Sequence, residues 1–257
     1  MAANLLSCEE KRDVFGSHFD FSQIQPDFDR TARIKFVTLE PRHAREMAKL
    51  HIEGINTGFI SSLGLDFVTA LYEGIIESKD SFGFVSEDDK VLGFVAFTTS
   101  VSRIYKYIIL KKGMRFAFLL ARKMLSFEKL KKVFETLFYP VRVKKMNLPE
   151  AELLSIVVSG EIRRHGQATE LIQQGFEEYH KKGIDQVKVM VSASNYPANK
   201  LYEKCGFKLA SQIDSHGVLS NIYVAEIAEA AKLCEPKTVD LPMDYRQVKY
   251  PAKAAVA

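Results

Sequence analysis

Apolar and polar positions change period several times along this chain, and each change marks an element. From Arg33 to Leu39 they alternate singly, as in a strand with one buried face. After Pro41, Ala44, Met47, Ala48, His51 and Ile52 fall three and four apart, which predicts a helix ended by Asn56-Thr-Gly58. Phe67, Leu71, Ile75 and Ile76 predict a second helix over Leu65–Glu77. Ser81–Ser86 and Val91–Thr98 then read as a hairpin turning at Glu87–Lys90. From Met114 to Phe138 the period returns to three and four, predicting one long or two shorter amphipathic helices. Leu153–Val158 is an unbroken apolar run, suited to a buried strand.

Beyond it, Ala168, Leu171, Ile172, Gly175, Phe176 and Tyr179 form the clearest helical stripe, closed by Lys181, Lys182 and Gly183. Val187, Val189 and Val191 alternate as a strand, and Pro197 opens a short helix that Gly206 ends. Phe207–Ile213 and Val218–Ile227 are the last strands. The order βααββ, insertion, βαβαββ predicts an α/β fold: one mixed central sheet flanked by helices, with a helical insertion. The expected organisation is an extension over 1–31, a domain over 32–228 with its insertion at about 101–147, and a tail over 229–257, loosely attached from Glu235 onward.

Composition adds little until it is mapped. The chain has 257 residues, 47% apolar and 26% charged, well above the apolar content of a disordered chain. Cys8, Cys205 and Cys234 are scattered, with no CxxC or Cys/His ligand spacing, which argues against a disulfide scaffold or a zinc site. The start lacks a signal-like apolar stretch, so a soluble cytoplasmic protein is expected. The net charge of +4 conceals an asymmetry. Residues 101–147 carry thirteen Lys or Arg and only Glu128 and Glu135 as acids, while the remainder is mildly acidic. One local anionic partner is expected there, and nucleic acid is not, because no binding motif accompanies the charge.

The stretch Arg163-Arg164-His165-Gly166-Gln167-Ala168 lies between the apolar strand and the striped helix. A helix starting at a small-residue loop offers unpaired N–H groups and the positive end of its dipole, so this junction suits an anion, most naturally a diphosphate. It is neither a GxxxxGK[ST] loop nor a GxGxxG turn. As a short loop alone, it is equally a polar entry to a helix.

About thirty residues on, Asn195-Tyr-Pro-Ala198-Asn199-Lys-Leu201-Tyr202-Glu203-Lys204-Cys-Gly206-Phe207 matches N-x-x-A-x-x-[LI]-Y-E-K-x-G-F. Together the two segments resemble the GNAT superfamily of acyl-CoA-dependent N-acyltransferases, whose phosphate loop [QR]-x-x-G-x-[GA] corresponds to Arg163, Gly166 and Ala168. The resemblance spans about 32–228. It departs where Arg164-His165 precede Gly166, since the family loop often reads R-G-x-G.

The resemblance implies acetyl-CoA as co-substrate, no metal, and direct transfer to a primary amine. Backbone N–H groups of Arg164, His165, Gly166, Gln167 and Ala168 would cradle the CoA pyrophosphate, with Arg163 nearby. The strand ending at Val158 would splay from the one ending at Val191. The pantetheine arm would pair in that gap with backbone groups of Ile156, Val157 and Val158, the Ile156 N–H serving as oxyanion donor. Tyr202 would protonate the leaving thiolate, and Asn195 would either bond the CoA arm or only cap its helix. Glu152, fourteen residues before Gly166, is the first candidate for general base. His51 and His216 are alternatives, as is a water chain.

The insertion reads as a lid with a basic, aromatic lining (Tyr105, Tyr107, Arg115, Phe116), as a helix lying on a membrane surface, or as a helix packed on the core with its lysines in water. The lid suits an anionic acceptor such as a nucleotide-linked amino sugar. A protein amine is the second acceptor class, and a non-catalytic acyl-CoA-binding adaptor the rival from outside enzymes. A homodimer is compatible with all of these.

Overall fold

The computed structural model describes residues 34–56, 58–122, 146–215 and 217–234. The segments 1–31 and 123–145, the tail from Glu235 and His216 lie outside these residues. Among the described residues, seven strands form one sheet in the order β1-β2-β3-β4-β5-β7-β6. They are β1 (Lys35–Thr38), β2 (Ser81–Glu87), β3 (Val91–Thr98), β4 (Glu152–Val158), β5 (Gln186–Ser192), β6 (Lys208–Ser215) and β7 (Val218–Glu226). Among these described strands only β4 and β5 run parallel; every other neighbouring pair is antiparallel. A parallel pair needs a crossover helix, and the striped segment supplies it.

Helices α1 (Ala44–Gly54), α2 (Phe59–Ser62), α3 (Leu65–Glu77) and α4 (Val101–Arg122) precede β4. Helices α5 (Gln167–Lys181), α6 (Tyr196–Lys204) and α7 (Ile227–Leu233) follow it. The sheet divides two apolar cores. Met47, Val68, Tyr72, Phe94 and Ile104 fill the one under α1, α3 and α4. Leu171, Phe176, Val189, Tyr202 and Phe207 fill the one under α5, α6 and α7. Strand β3, buried at every position, serves both. Gly175 seats α5 on β3, because a Cβ there would run into the Phe97 ring.

Three expectations are corrected. The insertion's helix starts at Val101, well before Met114. Val101, Ile104 and Ile108 bury its first turns, a spacing hidden among the partly covered Tyr105 and Tyr107 and the exposed Arg103 and Lys106. The last strand gives way to α7 at Ile227, and packed structure continues past 228, with Ala230 and Cys234 buried. The lid lining is also displaced. Phe116 packs on Phe67 of α3 at 4.6 Å, Arg115 pairs with Glu73, and Tyr107 donates to the Glu77 carbonyl at 3.4 Å. These side chains fasten α4 to α3 instead of facing an opening.

Candidate active site

Strands β4 and β5 pair only at Glu152 with Lys188 and Leu153 with Val189, although they continue to Val158 and Ser192. Past Leu153 the sheet is open. The cause lies in β4 itself: Phe97 sits opposite Leu153 but Ala96 opposite Ser155, so Leu154 is an extra residue in the ladder. Such a bulge bends its strand and raises the local twist. It also reverses the alternation of side chains, so that Ile156 and Val158 join the core of Leu153, while Leu154 and Val157 join the other.

The ladder fixes what the open edge offers. The Ser159 N–H bonds the Leu92 carbonyl, and Val157 and Ser155 stand opposite Phe94 and Ala96. Alternation then turns the N–H groups of Ile156 and Val158 away from β3, toward the gap. The Arg163 guanidinium lies along this edge, its Nε donating to the Val158 carbonyl at 3.1 Å.

Beyond β4 the chain takes a short 3-10 turn at Gly160–Ile162, capped by the Ser159 side chain. It then passes through positive φ at Arg164 (69°) and Gly166 (81°). Gly166 is the N-cap of α5 and supplies no side-chain acceptor. The first N–H bonded across this junction is that of Glu170, to the Gly166 carbonyl. No acceptor among the described residues meets the N–H groups from Arg163 to Thr169. Arg164 and His165 are exposed, so the bulky pair that departs from the loop pattern leaves this backbone accessible. Gln167 is buried, with its Oε1 unpartnered, and Ala168 is partly buried.

Helix α6 stands over the opposite side of the gap. Tyr202 is 4% exposed and shares a core with Val189, Ile156, Val158 and Val191. Its ring meets Phe207 edge-on at 5.6 Å, and burial pushes its phenol above the ordinary range. No described residue accepts from its hydroxyl. Asn195 caps α6 by accepting from the Ala198 N–H at 3.3 Å. Asn199, which the sequence pattern left unassigned, fixes α6 to the sheet. Its Nδ2 donates to the Ser192 and Asn195 carbonyls at 3.0 and 2.7 Å, and its Oδ1 accepts from Asn221 and Tyr223 at 2.8 and 2.9 Å.

The base candidates separate. Glu152 is buried at the paired end of β4, with Lys188 Nζ 3.3 Å from its Oε2. His51 is buried on α1, and its Nδ1 lies 2.6 Å from the Tyr72 hydroxyl, which donates to Ser155 Oγ at 3.1 Å. That chain ends on β4 beside the bulge. Burial lowers the His51 pKa to about 4 and raises the phenol of Tyr72. Tyr72, Ser155 and Lys188 carried no sequence signal of their own. Cys205 and Cys234 are fully buried, so neither offers a thiol to a substrate. Among the described residues, no cluster of His, Cys, Asp or Glu could hold a metal, and no helix is long and apolar enough to cross a membrane.

A model of the acetyltransferase (GNAT) family matches residues 62–207, more than half of the chain. The chain belongs to this family. An N-acetyltransferase from Staphylococcus aureus Mu50 shares the fold, with a TM-score of 0.50 and 18% identity over 76% of this chain and 98% of that one. Also similar are the ribosomal-protein-S18-alanine N-acetyltransferase of Escherichia coli (15% identity, TM-score 0.46, 76% and 94% covered) and mutant forms of the spermidine/spermine N-acetyltransferase of Vibrio cholerae (16%, 0.48, 79% and 99%). A comparison with curated proteins returns no significant match. In this GNAT acetyltransferase, the open fork and the uncapped start of α5 lie at the two ends of one segment, Ile156–Ala168.

Proposed function

We propose that this chain transfers an acetyl group from acetyl-CoA to a primary amine within a ternary complex, without a covalent enzyme intermediate. The observation that carries the reading is the meeting of the open β4 edge with the uncapped N-terminus of α5. Unpartnered N–H groups from Arg164 to Ala168, at the positive end of α5, suit a pyrophosphate. Arg163 would exchange the Val158 carbonyl for phosphate oxygen, freeing that edge for the amide groups of pantetheine. The Ile156 N–H, fixed by the ladder, would stabilise charge on the thioester oxygen at no cost in reorganisation. Tyr202, held protonated by burial, would donate to the departing thiolate, and Asn195 would border the CoA arm.

The incoming ammonium must first lose a proton. Glu152 is engaged by Lys188, and the route we assign runs through Ser155, Tyr72 and His51. Once the two hydroxyls turn from the resting direction, in which Tyr72 donates to Ser155, Ser155 Oγ takes the proton as its own passes to Tyr72, and the Tyr72 proton passes to His51 Nδ1. Each hydroxyl both donates and accepts, and the imidazole is neutral near pH 7. A base this weak hands the proton on to solvent rather than keeping it. The anionic acceptor expected from the insertion loses its support, because Arg115, Tyr107 and Phe116 face α3. The acceptor is therefore assigned only as a primary amine, of small molecule or protein.

Calorimetric titration with acetyl-CoA tests the reading, with Gly166→Glu as control. A Cβ at Gly166 meets nothing within 4 Å, so the carboxylate would stand in the anion site, although the positive φ adds strain of about 1 kcal/mol. Micromolar binding, lost in a variant that still melts cooperatively, supports the site and opens a thiol-release screen of amines. A wild type that does not bind acetyl-CoA would overturn it.

A further inference from the structure

The face of α4 turned away from the core carries large apolar side chains with no cover among the described residues. Leu110 is 73% exposed, Met114 90% and Phe118 66%, with Ile109 beside them at 43%. Leu110, Met114 and Phe118 recur every four residues, so they make one stripe, and exposed Ala117 and Ala121 lie within the same sector. A row of exposed apolar side chains of this size marks an interaction site.

The charges around the stripe narrow the partner. Helix α4 holds six Lys or Arg and no acid. Arg103, Lys112 and Arg115 are used internally, paired with Asp80, Glu77 and Glu73. Lys106, Lys111 and Arg122 are exposed and make no ion pair among the described residues. Lys106 and Arg122 continue the four-residue spacing at either end of the stripe, and Lys111 lies on its flank. The sequence stays basic through residue 147.

We propose that this face of α4 docks on an anionic membrane surface. Leu110, Met114 and Phe118 would enter the boundary between headgroups and acyl chains while Lys106, Lys111 and Arg122 meet lipid phosphates and carboxylates, the arrangement of an interfacial amphipathic helix. A second copy of the chain fits less well. Two such faces would bring uncompensated cations together, with no acid on α4 to receive them. The inference does not depend on acetyl transfer.

The full chain has no tryptophan, so Phe118→Trp places a single clean reporter in the stripe. With vesicles of phosphatidylcholine containing about one-third phosphatidylserine, its emission should shift to the blue and the protein should sediment with the lipid. Phosphatidylcholine alone should do neither. Raising salt from about 0.1 M to about 0.5 M should weaken binding about tenfold or more. Leu110→Glu with Met114→Glu should abolish binding while leaving circular dichroism and acetyl-CoA affinity unchanged, since both side chains are in solvent. The proposal is overturned if anionic vesicles cause no shift at low salt, or if the double variant binds them as well as the wild type. It is equally overturned if sedimentation velocity shows a dimer that the double variant splits, for then the face covers a second copy.

Discussion

His51 Nδ1 lies 2.6 Å from the Tyr72 hydroxyl, joining α1 to α3 through two buried polar groups. Because Tyr72 also donates to Ser155 on β4, the contact is one end of a chain that reaches the fork. Tyr72→Phe interrupts it while keeping the ring. The expected result is a fall in kcat of about tenfold to a hundredfold, with KM for acetyl-CoA unchanged. Ser155→Ala should cost as much, and the double variant no more than either alone, since one broken link already stops the proton. Full turnover by Tyr72→Phe in a thiol-release assay would mean that the proton leaves elsewhere.

Tyr202→Phe tests the other proton. The edge-on packing against Phe207 survives the substitution, so acetyl-CoA affinity should change little while kcat drops about tenfold or more. Because burial raises the phenol, the wild type should lose no activity through Tyr202 as pH rises toward 9. Equal turnover by the two proteins would remove Tyr202 from the mechanism.

The Glu152–Lys188 pair makes a prediction about stability. Lys188→Met leaves a buried carboxylate without its counter-charge and should cost about 3–5 kcal/mol in urea unfolding. Lys188→Met combined with Glu152→Gln should recover most of that loss, because no charge is then stranded. The doubly substituted protein should also keep turnover within about threefold of wild type if the proton travels through Ser155. A folded but inactive protein would return the base to Glu152.

His51 also couples stability to pH. Its folded pKa, about 4, lies below the ordinary value of 6.5 for an unfolded histidine. The unfolded chain therefore binds the proton more readily between those values, and stability falls as pH drops through that window. The loss should reach about 2 kcal/mol at pH 5 relative to pH 7.5. His43, also lowered by burial, acts in the same direction. Urea midpoints at the two pH values check this, and His51→Asn should show a smaller difference.

Much of the fold was legible because local pattern and final burial agree. The stripe from Ala168 to Tyr179 is α5, and Leu65–Glu77 is α3 with the boundaries expected. The loop before α5 was legible as a candidate anion site because the chemistry expected of it is backbone chemistry: Gly166 and Ala168 keep large side chains away from its N–H groups. Position 188 was misleading for the opposite reason. Alternation with Val187 and Val189 assigns Lys188 to solvent, yet it is fully buried, its Nζ bonded to the Pro149 carbonyl and paired with Glu152.

The sequence by itself determined the succession of the seven described strands, the loop at Arg163–Ala168 and the helix carrying Tyr202, since these depend on residues within one or two turns of each other. Only the tertiary structure decided that Leu154 is the bulged residue, that β4 and β5 part after Leu153, and that His51, Tyr72 and Ser155 touch. Those facts join residues from α1, α3, β3 and β4, up to about a hundred positions apart. Hydrophobic periodicity sets which face of an element is buried, but not which polar group on another element will meet it there. That depends on how the elements pack and, in β4, on one extra residue that reverses the alternation.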